Sequence, residues 1–262
     1  MSVSLVQSAE EETLTYRNKH GLTRTIRDAV KREVRKRCGF GCVRCGLAFF
    51  DYEHFDPDFK DAKEHRAEGI TLLCMQCNQK RARGTLSVET VAAANAAPKC
   101  LEQGFASESF DFGSDPMQVA FAGVTFTNCP TLIEVNGFPL LSVRGPEEPG
   151  APYRLSGFFA DDTGDITLKI EDNVWSAGAD NWDVECEGPL ITIRNGPRLI
   201  SLVLRQEPPK RLVVERIDMA FEGIRLRGKD DVLEVSFDGK SWCAWTGCNM
   251  VDCFVGMSFN NR

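Results

Sequence analysis

The chain has 262 residues, 42% of them hydrophobic, with a formal net charge of −7 and eleven cysteines. That length suits two modest domains, each with a real core. No run approaches the roughly 20 apolar residues of a membrane span, and the start "MSVSLVQSAEEETLTYR" lacks the basic-then-apolar pattern of a signal peptide. A cytoplasmic protein with no membrane partner is expected, its thiols reduced and used for metal binding or as buried small side chains.

The net charge hides a split. Residues 1–100 carry 17 Lys and Arg against 13 Asp and Glu, and the remainder carries 14 against 25. A local basic patch can neutralise phosphates on an acidic protein, because a Debye length of about 8 Å confines each charge to its own surface.

Residues 1–16 are acidic and irregular and read as a frayed tail. From Leu22 to Arg37, Leu22, Ile26, Val30 and Val34 recur every four residues amid basic side chains. This predicts an amphipathic helix with a basic outer face. "CGFGC" then breaks it. Cys42, Cys45, Cys74 and Cys77 follow as two Cys-x-x-Cys knuckles, and four thiolates in such pairs make a closed tetrahedral zinc site. Cys38 is left as a spare thiol. Between the knuckles runs "LAFFDYEHFDPDF", an alternating apolar stretch ending in Glu53-His54, and "GITLL" leads back as a short strand into the second knuckle. A further helix is expected over residues 88–97, with Ser87 as N-cap and Pro98 as its stop.

Residues 101–116, rich in Gly, Ser and Asp, read as a linker. From 117 to 262 short β-branched and aromatic runs alternate with turn pairs at Asn136-Gly137, Gly164, Asn195-Gly196 and Asp238-Gly239. This predicts hairpins of an all-β domain, a sandwich or a small barrel. Within it, Trp175 and Trp182 read as core anchors, and Cys243, Cys248 and Cys253 as buried small hydrophobes.

Strand, turn, strand and helix around an acid and a histidine, with "EHFDP" and "LLCMQCNQK" as outer elements, resembles the HNH endonuclease family over about residues 20–90. The resemblance implies an α+β fold: a zinc-braced ββα-metal domain over 17–100, followed by the sandwich-like domain. It implies a metal-dependent endonuclease acting on nucleic acid, DNA before RNA, with structural Zn2+ on the four cysteines. His54 would be the general base, and Glu53 and Asn78 would hold a catalytic Mg2+ or Mn2+. Arg35, Lys36, Arg37, Lys80, Arg81 and Arg83 would contact the phosphate backbone. The family's central Asn would fall at Gly69; His65 is the side chain able to stand in, by bonding the loop or by joining the metal. The alternative is a zinc-braced module that binds nucleic acid or protein without catalysis. In either case the β domain would serve regulation or a protein or ligand partner.

Overall fold

The computed structural model describes residues 16–261, so the expected tail lies outside the described residues apart from Tyr16. Residues 16–27 run extended, and the first helix, α1, spans only Asp28–Cys38. The periodicity from Leu22 is overridden by a local turn. Asn18 Oδ1 accepts from the backbone N–H groups of His20 and Leu22, and Gly21 takes φ +79°. Such side-chain bonds offer the backbone an alternative to the helix. Asn18 Nδ2 also donates to the carbonyls of Phe59 and Ala62, which pins the segment to the loop beyond His54. Helix α1 begins with Asp28 and ends in Arg35, Lys36 and Arg37, charges that complement its dipole, and Gly39 closes it in the left-handed conformation.

Strands β1 (Asp51–His54) and β2 (Ile70–Leu73) form an antiparallel pair in which His54 faces Ile70, and α2 (Met75–Ala82) follows at once. Helix α3 (Val88–Ala96) has the expected Ser87 cap, whose hydroxyl accepts from the Thr90 N–H. A small core of Val34, Cys38, Ile70, Leu72, Leu73 and Val91, among others, packs these elements together.

The expected linker carries structure. Helix α4 (Lys99–Gln103) leads into β3 (Phe105–Ser109), which pairs along β10 (Val174–Gly178). Small polar residues read as loop from composition, yet they suit a short edge strand whose Ala106 is buried while Phe110 and Phe112 anchor the next stretch. The β region comprises a seven-stranded and a ten-stranded sheet that share one large core. Trp175 lies fully inside it, but Trp182 is only half-buried. Phe40, Ala48 and Cys100 from the N-terminal region belong to the same core, so the two parts are packed and not merely tethered.

Asn136-Gly137 forms the expected two-residue turn, with φ +50° and +81°. Asn195-Gly196 does not. Both lie inside β12 (Leu190–Gly196) at a bulge, and Pro197-Arg198 makes the turn into β13 (Leu199–Glu207). Cys243 is exposed and Cys248 and Cys253 are half-buried, because the first two lie on strands at the sheet margin and Cys253 in the loop that follows. Among the described residues no helix is long and apolar enough to cross a membrane.

Candidate metal centre and histidine site

The four paired cysteines converge. The Sγ atoms of Cys42, Cys45, Cys74 and Cys77 all lie within 4.8 Å of one another, and those of Cys45 and Cys74 are 3.5 Å apart. Tetrahedral thiolates about 2.3 Å from zinc stand about 3.8 Å apart, so the group fits that ion. Local sequence explains the geometry. Gly46, at φ +83°, lets its N–H return to the Cys42 carbonyl at 2.9 Å, and the Val43 N–H bonds Leu72 of β2 at 3.0 Å. Cys74 is the N-cap of α2, and its sulfur accepts from the Cys77 N–H. The Cys45 thiol, aided by the N–H groups of Cys74, Arg44 and Cys45, draws the Cys42 thiol down to about 5 despite its burial. Cys38 stays outside the group, buried against Thr71.

His54 ends β1 on its buried face. Its Nε2 lies 3.0 Å from His65 Nδ1, and His65 Nε2 lies 2.9 Å from the Thr23 carbonyl oxygen. A carbonyl only accepts, so His65 Nε2 carries the proton. With both rings neutral, His65 Nδ1 is then the acceptor, and His54 Nε2–H donates to it. The remaining nitrogen, His54 Nδ1, is left with its lone pair; it has no protein partner among the described residues and is not sealed from solvent. Burial, with the neighbouring His65 and Arg24 adding to it, pushes His54 down to about 4, so the imidazole is uncharged at neutral pH. Both nitrogens of His65 are engaged in this chain, which occupies it as a brace for His54 and not as a metal ligand.

Gly69 leaves no room for the side chain expected there. A Cβ on Gly69 would stand 2.3 Å from the Asp56 carbonyl oxygen, and the Gly69 carbonyl accepts from the Phe55 N–H at 3.0 Å. The loop after His54 closes directly on this glycine, with His65 filling the space beside the histidine.

Glu53 points to the other face of β1, as alternation requires, and meets α2. Arg81 Nε donates to Glu53 Oε1 at 3.1 Å, and its Nη2 bonds the His54 carbonyl and Asp58. Asn78, one turn earlier on α2, lies 3.4 Å from Asp51 Oδ2 through its amide nitrogen. Asp51 thus meets Asn78, while Glu53 and Asp58 are both engaged by Arg81. Among the described residues the four cysteines are the one group of His, Cys, Asp or Glu side chains placed to share a metal ion, and these carboxylates do not converge into a second. Asp51 and Asp58 were not singled out from sequence; the period-two spacing of Asp51 and Glu53 was the available signal.

The basic residues divide. Arg35 is buried and spent inside the protein, with Nε and Nη2 on Asp183 at 2.9 and 2.8 Å and Nη1 on Tyr52 and Glu185, both at 2.8 Å. Arg37 bonds Asn95 and the carbonyls of Ala67 and Ile70, and Lys36 reaches the Asn181 carbonyl at 2.6 Å. Arg32, beside them, stacks 3.4 Å from the Trp182 ring centroid. Arg32, Arg35 and Lys36 therefore reach the β region, while Arg37 is used within the N-terminal region. Lys80 and Arg83 are exposed on and just after α2, while Arg81 is held by the carboxylates. No family model, no curated protein and no solved structure matches this chain.

Proposed function

We propose that the protein is a metal-dependent endonuclease of the HNH type, hydrolysing phosphodiester bonds of nucleic acid, DNA before RNA. The observation that carries this reading is the chain from His54 through His65 to the Thr23 carbonyl. It supports an uncharged imidazole held in one orientation with a free lone pair, the form a general base requires. The four-cysteine group is read as structural zinc, bracing β2 and α2.

In the proposed reaction a water attacks phosphorus, its proton passes to His54 Nδ1, and the P–O3′ bond breaks. The products are a 5′-phosphate and a 3′-oxygen that takes a proton from solvent. Glu53 and Asn78 would hold the Mg2+ or Mn2+, with Glu53 released from Arg81. Bound there, the cation would supply Lewis-acid stabilisation of the developing charge. Lys80 and Arg83 are free to hold flanking phosphates without reading sequence. Arg35, Lys36 and Arg37 are left out of that contact set, since their donors are already used.

The Arg81–Glu53 pair favours a second reading, a zinc-braced binding module in which the guanidinium permanently occupies the cation's place. Supercoiled plasmid separates the two. The nuclease reading expects nicking that requires Mg2+ or Mn2+ and stops on chelation. Salt-sensitive DNA binding with no nicking under any divalent cation sinks it in favour of the module.

A further inference from the structure

Arg24 lies on the extended segment before α1 and is exposed. Its guanidinium carbon sits 4.4 Å from the Phe59 ring centroid and 5.5 Å from that of Tyr16. Phe59 in turn meets His54 edge-on at 5.3 Å and stacks beside His65 at 6.5 Å, with 14° between their planes. The same aromatic ring thus carries Arg24 and borders both histidines.

Several cations of this region are compensated, while Arg17 and Arg27 on the same segment as Arg24 are not paired with a carboxylate among the described residues. Arg81 pairs with Glu53 and Asp58, Lys60 with Asp58, Lys19 with Asp61, and Arg66 with Glu64. Arg24 pairs with no carboxylate among the described residues. A guanidinium fixed over an aromatic face keeps its N–H fork free in the ring plane's surroundings, and that fork matches two oxygens of a phosphodiester. An uncompensated charge beside an uncharged histidine is unfavourable for a second proton on that ring and favourable for an anion placed between the two.

We propose that Arg24 binds the scissile phosphodiester of a nucleic acid and holds it beside His54. The role beside a base rests on the nuclease reading above; the phosphate contact does not, and it is tested apart from cleavage. Binding is measured with the full chain carrying His54→Ala, by fluorescence anisotropy of a labelled DNA duplex over a range of salt concentrations. Adding Arg24→Met keeps the aliphatic stem on Phe59 and removes the charge; Arg24→Gln serves as a second neutral variant, and Arg24→Lys keeps the charge.

The neutral variants are expected to weaken binding about tenfold and to reduce the slope of log K against log salt by about 0.9, whereas Arg24→Lys preserves the slope. A purely structural role on Phe59 would not move that slope. The proposal is overturned if the neutral variants bind with unchanged affinity and slope, or if the protein carrying native Arg24 shows no salt-dependent binding. If Arg24 governs binding while the protein with His54 restored does not nick DNA, the phosphate site stands and the nuclease reading fails.

Discussion

The role proposed for His54 as a proton acceptor depends on two neighbours that settle its protons. The Thr23 carbonyl fixes His65, and His65 fixes His54. Changing His65 to Ala removes the acceptor for His54 Nε2–H while leaving zinc and carboxylates in place. Cleavage is expected to fall on the order of 10²-fold through kcat, with KM little changed, since orientation of a base by a hydrogen-bond partner is worth at least that much. A variant with unchanged kcat would show that His65 does not orient the base. The glycine at 69 is equally specific, for a steric reason. Gly69→Ala drives a methyl group to 2.3 Å from the Asp56 carbonyl, and such overpacking against backbone costs about 1–3 kcal/mol. Thermal unfolding of that variant should show a clear loss of stability; a melting temperature equal to the parent's would mean the loop yields at no cost. Neither feature was readable in the chain. His65 could be read only as a side chain able to bond the loop or join the metal, not as the partner of His54, and the close approach at Gly69 comes from a turn whose ends are thirteen positions apart.

Among the elements, the zinc knuckles and α2 are one construction. Cys74 caps the helix that carries Asn78 and Arg81, and Val43 of the first knuckle bonds the strand opposite β1. The cysteine spacing made this part legible, because a four-sulfur cluster leaves few ways to arrange two Cys-x-x-Cys pairs. Strand β1 was legible from its alternation and α3 from its cap. The start of α1 was not, since the Asn18 turn depends on contacts with Phe59 and Ala62 across the loop. The knuckles should hold a single zinc ion per chain, read by native mass spectrometry, and Cys77→Ser should abolish it. Stripping zinc should melt α2, lowering helical circular dichroism, with recovery on adding zinc but not magnesium. Retention of both helix and activity in the stripped protein would remove the structural role given to the four cysteines.

For the molecule as a whole, the deciding residue is Arg35. Read along the helix it was one of nine basic residues between 17 and 37 and so part of an outer face. In the fold it is 3% exposed and clasped by Asp183, itself 1% exposed, with Glu185 and Tyr52 alongside. Its carboxylate partners lie 148 and 150 positions away, beyond the reach of any local pattern, and burial holds the Tyr52 hydroxyl up at about 12. Tyr52 immediately precedes Glu53 and His54, so the same guanidinium joins the β region to the strand of the candidate site. Removing it with Arg35→Ala leaves Asp183 and Glu185 to Arg194 alone and takes a partner from Tyr52, and should cost about 1–3 kcal/mol in denaturant unfolding. Exposed Arg83→Ala should change stability by no more than about 0.5 kcal/mol, and equal effects from the two would refute the buried clasp.

The nuclease reading finally stands on one side chain. Supercoiled plasmid is incubated with the full chain and Mg2+ or Mn2+, with and without His54→Ala, and the rate of nicking is followed. The parent should nick, and the variant should be slower on the order of 10²–10⁴-fold while still binding the plasmid. Nicking that proceeds at the same rate without His54, or no nicking by the parent, would contradict it.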